Sequence, residues 1–185
     1  PTSEILNGVT SGNNTFVVVG SYNAIVRSTD NGSSFDNVTS SRTSKHYMAV
    51  TFGNNKFVAV GMSGTIASST DNGSSFSTMT SPPSITLYGV SFGNNTFVGV
   101  GYDGKIVRST DNGTTWDNVT SPTGNRLQDI TFGNNTFVAV GLSGNILRST
   151  DNGSSFDNAT SRTTNHLNGV GFGNNTFVGF DNYGN

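Results

Sequence analysis

The carboxylates are the first residues to test for chemistry, and most of them follow a repeat. The chain has a single glutamate, Glu4, and only Asp103, Asp129 and Asp181 among its aspartates stand outside the repeat. Because a catalytic pair has to converge on one site, carboxylates spread over equivalent positions predict structural roles. Four of the repeated aspartates lie in a turn motif and three follow an aromatic residue: Asp30, Asp71, Asp111 and Asp151, then Asp36, Asp117 and Asp157.

The basic residues and metal ligands lead to the same expectation. Arg27, Arg108 and Arg148 share one repeat position, which Ser68 fills in the second repeat, so they do not predict an anion-binding cluster. Asp103 is a lone carboxylate, whereas calcium takes about six to eight oxygen ligands. The chain contains no cysteine for a thiolate metal site or a disulfide. We therefore expect no catalysis, no metal and no cofactor.

Composition narrows the classes of partner. Charged residues make up 11% of the chain and the formal net charge is −2, which argues against nucleic acid as a partner. No apolar run approaches the length that crosses a bilayer, so we expect no membrane span.

A repeat of about 40 residues organises the whole chain. Gly-Asn-Asn starts at residues 12, 53, 93, 133 and 173, and Ser-Thr-Asp-Asn-Gly starts at residues 28, 69, 109 and 149. This periodicity predicts a single array over residues 1–185. Its repeats are expected at approximately 5–45, 46–85, 86–125 and 126–165, with a partial repeat at 166–185.

Each repeat predicts four short strands. A first strand ends at Gly-Asn-Asn, whose residues favour tight hairpins. The second strand, for example residues 177–180, is nearly all β-branched and aromatic, which predicts burial on both faces. A glycine-rich turn, a third strand and a fourth strand carrying Phe35, Phe76, Trp116 or Phe156 follow. The expected fold is all-β, a β-propeller-type array of four-stranded antiparallel blades, with four complete repeats and half of a fifth.

The turn before the fourth strand has a chemistry of its own. In the first copy, the carboxylate of Asp30 is expected to accept backbone N–H bonds, Gly32 to supply a positive φ, and Phe35 to anchor the hairpin. The other copies place the same three roles on Asp71, Gly73 and Phe76, on Asp111, Gly113 and Trp116, and on Asp151, Gly153 and Phe156.

This motif, Ser-x-Asp-x-Gly-x-Ser/Thr-Phe/Trp, resembles the Asp-box of the bacterial neuraminidase repeat (BNR) family. The family includes sialidases, sortilin-like receptors, a group of photosystem II assembly factors and bacterial surface proteins. The resemblance implies a propeller in which Asp-boxes are structural. Sialidases of this kind use clustered arginines, a Tyr–Glu pair and a separate acid, and this chain lacks that set. It is therefore expected not to be an enzyme.

Positions that vary on the constant repeat are the candidates for binding. One set just before the first strand holds His46, Arg126 and His166, with Ile5 and Thr86 as equivalents. Two others hold Asn7, Met48, Tyr88, Gln128 and Asn168, and Tyr22, Ser63, Asp103, Ser143 and Tyr183. The candidate ligand-binding residues are His46, Tyr88, Arg126, His166, Tyr22 and Asp103. The alternative is that these are freely drifting surface positions.

Glycosylation sequons concentrate at two kinds of place. Those in the turns have a conformational explanation, whereas Asn37, Asn118 and Asn158 follow the anchor aromatic at the expected outer edge of a blade. We expect these three to be the acceptors if the source glycosylates its proteins.

The sequence therefore predicts a non-enzymatic module, extracellular or at the cell surface, that binds a glycan or protein ligand or acts as a structural scaffold. One alternative is a glycosylated structural subunit of a fibre or surface layer, assembled through the incomplete fifth blade. Another is a non-catalytic fragment of a sialidase-like glycosidase. The edge at residues 177–185 is expected to be completed by more of the same chain or by a neighbouring copy.

Overall fold

The protein folds into a row of antiparallel β-sheets. The computed structural model describes residues 2–40, 45–79, 85–181 and 183. Blade 1 comprises β1 (Leu6–Gly12), β2 (Thr15–Gly20), β3 (Ile25–Ser28) and β4 (Asp36–Asn37). After the short strand β5 (Thr39–Ser40), blade 2 comprises β6 (Tyr47–Gly53), β7 (Lys56–Gly61), β8 (Ile66–Ser69) and β9 (Ser75–Thr78). Strand β5 pairs in parallel with β9 and so extends the outer edge of blade 2.

The remaining blades repeat this order. Blade 3 comprises β10 (Leu87–Gly93), β11 (Thr96–Gly101), β12 (Ile106–Ser109) and β13 (Asp117–Val119). Blade 4 comprises β14 (Leu127–Gly133), β15 (Thr136–Gly141), β16 (Ile146–Ser149) and β17 (Asp157–Asn158). A two-stranded half blade 5 follows, with β18 (Leu167–Gly173) and β19 (Thr176–Asp181). The predicted all-β array, with four complete blades and half of a fifth, is confirmed.

Two kinds of tight turn hold the strands of a blade together. The first hairpin turns on two asparagines with positive φ, such as Asn94 (47°) and Asn95 (58°), a twist that suits a two-residue hairpin. The second connection is a single turn of 3₁₀ type, such as Tyr102–Gly104, whose middle residue Asp103 has φ 52°. Asparagine and glycine tolerate the left-handed region, so local sequence dictates the first turn directly.

Every first strand carries a β-bulge at the same place. In blade 3, Leu87 pairs with Gly101 and Gly89 pairs with Val100, so Tyr88 is left without a partner across the ladder. A bulge bends the strand and re-aims the side chain of the extra residue. The bulged residues are Asn7, Met48, Tyr88, Gln128 and Asn168.

The core lies between blades. We call the side of a blade that packs against the following blade its rear face, and the side that packs against the preceding blade its front face. Rear residues pair with front residues in four clusters, namely Val17, Val19 and Ile25 with Tyr47, Val50 and Phe57; Val58, Val60 and Ile66 with Leu87, Val90 and Phe97; Val98, Val100 and Ile106 with Leu127, Ile130 and Phe137; and Val138, Val140 and Ile146 with Leu167, Val170 and Phe177. Each such side chain stabilises the stack by about 1.5–3 kcal/mol when fully buried.

A phenylalanine on the front face completes each of these interfaces. The ring of Phe132 covers Gly93 of the preceding blade so closely that a Cβ at Gly93 would overlap with it. Phe52, Phe92 and Phe172 cover Gly12, Gly53 and Gly133 in the same way. Glycine is therefore required wherever a following blade supplies the ring.

Two details differ from the sequence prediction. Strands β7 and β11 are buried along their whole length, but β19 is largely exposed, because among the described residues nothing packs on its rear face. The aromatic anchors were also expected within the fourth strand. Only Phe76 lies in one, whereas Phe35, Trp116 and Phe156 immediately precede it, because the turn still holds them out of the ladder. Within the described ranges, no helix has the length and apolar character needed to cross a bilayer.

Candidate functional site

A cavity of about 400 Å³ lies where the first strands of all five blades meet. The bulged residue of each blade lines it, so one side chain per repeat converges on a single space. These side chains are Asn7, Met48, Tyr88, Gln128 and Asn168. Three carboxamides, a thioether and a phenol therefore surround the cavity on an otherwise repeated backbone, and a bulge is the local distortion that aims each of them.

Asp129, which follows the bulged residue Gln128, adds a carboxylate to the cavity lining. It is the only aspartate, glutamate, histidine, lysine or arginine among the described residues that line the cavity, and its equivalents in the other blades are Gly8, Ala49, Gly89 and Gly169. Its Oδ1 atom accepts a hydrogen bond from the N–H of Ile130 (2.8 Å), and Oδ2 accepts one from the N–H of Val170 on the next blade (2.9 Å).

Burial raises the pKa of Asp129, although the N–H groups of Val170 and Ile130 act in the opposite direction. A desolvated carboxylate gains from a cation placed beside it. Sequence reasoning noted that Asp129 breaks the repeat but did not assign it to the site. The sequence does contain a sign of this role, because the other repeats have only glycine or alanine at the position of Asp129.

Tyr88 connects the cavity to the candidate residue Arg126. The guanidinium carbon of Arg126 lies 5.0 Å from the centre of the Tyr88 ring, in a cation–π contact. The Nε atom of Arg126 is buried and has no hydrogen-bond partner among the described residues. The structure thus brings Tyr88 and Arg126 together at one side of the cavity.

The other sequence candidates meet in pairs between neighbouring blades. The rings of Tyr22 and His46 lie edge to face at 4.7 Å, and Tyr22 adopts a left-handed φ of 50° that is unusual for an aromatic residue. The Nδ1 atom of His166 accepts a hydrogen bond from the N–H of Ser143 (3.0 Å). Asp103 is exposed on its turn and is not part of the cavity lining.

The repeated turns around Asp30, Asp71, Asp111 and Asp151, which we call the aspartate turns, are hydrogen-bonded internally. In blade 2, Asp71 accepts hydrogen bonds from the hydroxyl of Ser69 (2.7 Å) and from the N–H (3.0 Å) and hydroxyl (2.6 Å) of Ser75. Gly73 follows with φ 80°. The anchor aromatics Phe76, Trp116 and Phe156 are buried in the interface with the preceding blade, while Phe35 is half-buried.

Hydrogen bonding holds the turn carboxylates ionised. Partial burial raises the pKa of Asp71, but the hydrogen bonds from Ser75 and Ser69 outweigh it and bring the pKa to about 2. The pKa values of Asp30, Asp111 and Asp151 are likewise lowered to about 2, led by the Ser28 hydroxyl, the Thr115 N–H and the Ser155 hydroxyl respectively. Such carboxylates are poor proton donors at neutral pH.

Cations in blades 1, 2 and 3 tie each of these blades to the aspartate turn of the next blade. The Nε atoms of Arg27 and Arg108 donate to the carbonyl oxygens of Asn72 and Asn152, each at 2.8 Å. In blade 2, where serine replaces the arginine, Nζ of Lys56 donates instead to the carbonyl oxygen of Asn112 (2.6 Å). These cations therefore have a structural partner on a neighbouring blade rather than a shared anion site.

The sequons fall into two structural groups. Asn37, Asn118 and Asn158 are exposed on the fourth strands. In contrast, the Nδ2 atoms of Asn72 and Asn152 donate to the hydroxyls of Thr15 (2.6 Å) and Thr96 (2.7 Å) on the preceding blade. Across the part of the chain that the structure describes, no cluster of three or more histidine or acidic side chains is arranged to hold a metal ion.

Solved structures with a similar fold identify this architecture. YCF48 from Cyanidioschyzon merolae superimposes with a TM-score of 0.71 at 16% sequence identity, over 93% of this chain and 61% of that one. The chain has a β-propeller fold. YCF48 bound to D1 peptide gives a TM-score of 0.70 at 16% identity, over 95% of this chain and 61% of that one.

A computationally designed protein, Ika8, is similar to the same degree. Its TM-score is 0.71 at 15% identity, with 94% of this chain and 54% of the designed chain covered. This chain thus spans less than two thirds of the length of these structures. No protein-family description matches its sequence, and no curated protein matches it either.

Proposed function

We propose that the chain is a non-enzymatic binding module that holds an extended peptide segment of a partner protein in its central cavity. The observation that carries the proposal is the convergence of five bulged, variable side chains on one cavity of about 400 Å³. The backbone is constant and these side chains differ, which is how a scaffold presents a recognition site.

The chemistry of the lining suits a peptide with a cationic side chain. Carboxamides donate and accept hydrogen bonds, as peptide groups do, and Tyr88 adds an aromatic surface. The side-chain amide of Gln128 has no hydrogen bond to another described side chain and faces the cavity, whereas Nδ2 of Asn7 already donates to the carbonyl oxygen of Tyr47 (2.8 Å). Asp129 would pair with a lysine or arginine of the ligand, which relieves the cost of its burial. The structure of YCF48 bound to D1 peptide is a precedent for peptide binding on a similar fold.

We further infer that the aspartate turns are Asp-boxes of the BNR type and that their role is structural. Their support is the hydrogen bonding of each carboxylate within its own turn, which leaves Asp71, for example, on a different part of the blade from the cavity. The sialidase-like fragment is the weaker reading, because Arg27 and Arg108 are occupied by turn carbonyls and the single glutamate is exposed near the N-terminus.

An extracellular or cell-surface location belongs to the same proposal. It is supported by the exposure of Asn37, Asn118 and Asn158 on the fourth strands, where the acceptor side chains are accessible to solvent. The absence of cysteine from the chain is neutral on this point, since the blades pack through apolar cores.

The test is peptide binding by the purified chain, followed by fluorescence anisotropy. The probes are labelled alanine–serine decapeptides with a central lysine, arginine or glutamate. We expect the cationic peptides to bind and Asp129→Asn to weaken them by about tenfold or more, since a charge-assisted hydrogen bond is lost. Asp117→Asn, which removes the same charge from an exposed strand outside the cavity, is the matched control.

The outcome separates the alternatives. Equal binding of lysine and glutamate peptides, or an unchanged affinity in Asp129→Asn with an unchanged melting temperature, would contradict the assigned ligand class. Binding of saccharides in place of peptides, abolished by Tyr88→Ala, would instead identify a glycan-binding module. A second candidate function, a structural subunit, is favoured by the exposed apolar faces at the two ends of the array.

A further inference from the structure

The front face of blade 1 is apolar, and no other blade of the described residues packs on it. Its residues correspond to the buried front residues of the other blades, with Leu6 at the position of Tyr47 and Val9 at that of Val50. Val9 is 63% exposed, whereas Val50 is 8% exposed. A groove of about 230 Å³ lies on this face, lined by Thr2, Leu6, Val18, Val26 and Phe35.

The rear face of blade 5 has the matching property at the other end. Val178 and Phe180 occupy the positions of Val58 and Val60, which are fully buried in blade 2. In blade 5 they are 61% and 56% exposed. A soluble protein seldom exposes large apolar side chains in groups at two separate places without a partner for them.

These two surfaces are the two halves of an interface that the molecule already forms four times. Every internal interface joins a rear valine pair to a front leucine or tyrosine and a front valine or isoleucine. Blade 5 offers the rear half of that interface and blade 1 offers the front half. We propose that a second copy of this chain docks its blade 1 onto blade 5 of the first, head to tail, through the same contacts that join neighbouring blades.

One residue limits how well the two halves fit. Gly173 is the rear-face glycine of blade 5, and a Cβ added there would meet nothing within 4 Å, whereas Gly133 is covered by Phe172. The front-face position that supplies this ring is Ser11 in blade 1. The docked interface therefore lacks the phenylalanine of the internal ones, so it is weaker than they are and its occupancy depends on protein concentration.

The interface is heterologous, since different surfaces meet, and this determines the test. Sedimentation of the 185-residue chain over a range of concentrations should reveal association. Leu6→Asp damages only the front half and Val178→Asp only the rear half, and each should raise the dissociation constant by about tenfold or more, because an unpaired charge would be buried. Tyr102→Asp is the control, since Tyr102 is 52% exposed but lies on a 3₁₀ turn away from both faces.

Mixing the two damaged variants gives the decisive result. Leu6→Asp retains an intact rear face and Val178→Asp an intact front face, so an equimolar mixture should form heterodimers at concentrations where each variant alone stays largely monomeric. Ser11→Phe should strengthen association of the otherwise unaltered chain by about tenfold, since it supplies the ring that Gly173 lacks.

Several outcomes would overturn the proposal. These are a chain that stays monomeric at every concentration, association that Tyr102→Asp weakens as much as Leu6→Asp does, or a mixture that remains monomeric. Burial of the two faces only after further repeats are appended to the chain would assign them to a longer chain instead. Val9 and Phe180 of the two faces also line the central cavity, whereas Leu6 and Val178 do not, so peptide binding by the Leu6 and Val178 variants at concentrations where they are monomeric tests the proposed function separately.

Discussion

The carboxylate of Asp71 shows how much of a blade depends on one side chain. It accepts hydrogen bonds from Ser69 and Ser75 and so holds together the turn that positions Phe76. We expect Asp71→Ala to lower the free energy of unfolding by about 1–2 kcal/mol, because the donors of the turn lose a charged acceptor that water replaces only in part. Urea denaturation measures the change.

Asp117→Ala is the comparison for this substitution. Asp117 is also exposed, but it lies on the outer strand β13 rather than in a turn. Its loss should leave stability nearly unchanged. Peptide affinity per folded molecule should be the same in both variants, and a binding defect in Asp71→Ala without a stability defect would show that the turn carboxylate contacts the ligand.

Acid should destabilise the protein through these same turns. Their four carboxylates have a folded-state pKa of about 2 against an ordinary value of 3.8. A lowered folded-state pKa gives stability that is complete above 3.8 and is lost as the pH falls towards 2. Thermal unfolding between pH 5 and about 2 should show this loss. The melting temperature should fall less steeply with decreasing pH in a variant with two turn aspartates changed to asparagine.

Asp129 should act in the opposite direction. Burial raises its pKa above 3.8, so its contribution to stability is greatest below that value and declines as the pH rises through its folded-state pKa. Asp129→Asn should therefore gain stability relative to the parent chain as the pH is raised from acid to neutral. A constant difference between the two across this range would show that the carboxylate is not desolvated in the fold.

At the scale of the element, the contact between a phenylalanine and a glycine of the preceding blade makes a sharp prediction. Gly93→Ala places a methyl group where the ring of Phe132 lies, so it should destabilise the protein by about 1–3 kcal/mol through overpacking. Chemical denaturation measures it.

The same substitution at Gly173 is the matched control. The position is equivalent, but no ring covers it, so Gly173→Ala should be neutral or slightly stabilising. Equal destabilisation by both substitutions would mean that backbone conformation, and not the ring, requires glycine here. Equal tolerance would mean that the phenylalanine can move away at little cost.

The strands themselves were predictable from sequence because their signals are local. Gly-Asn-Asn marks the first hairpin, and the apolar run after it marks the buried strand. Other features depend on neighbours that no local pattern reveals. The bulge at Tyr88 lies inside a strand of ordinary composition, and β19 has the same pattern as β7 yet is exposed. Variation along the repeat singled out the five bulged positions as candidates for binding, but it did not predict that their side chains meet in one cavity, since residues about 40 positions apart form it together.

At the scale of the whole molecule, the outer edges of the blades form a rim that is separate from the cavity. Asn118 and Asn158 are exposed on this rim, whereas the Asn152 amide donates to Thr96 inside an interface. Expression in a glycosylating host should therefore modify Asn118 and Asn158 ahead of Asn112 and Asn152. Mass spectrometry of the glycopeptides measures occupancy.

Peptide binding should survive this modification, because the glycans would project away from the central cavity. Occupancy confined to Asn112 and Asn152 would contradict the placement of the outer strands. Loss of peptide binding on glycosylation, restored by enzymatic removal of the sugars, would mean that the ligand approaches across the rim.

The interchangeable interface between blades also has a consequence at the level of the gene. The internal interfaces are built from equivalent residues, and the repeats from residue 53 onward keep a spacing of 40 residues. In-frame duplication or loss of one such unit by unequal recombination would add or remove one blade and one core while every remaining contact kept its type. Inherited variation in blade number is therefore compatible with this fold, whereas a change of a few residues within a unit would put the glycine and the phenylalanine of adjacent blades out of register.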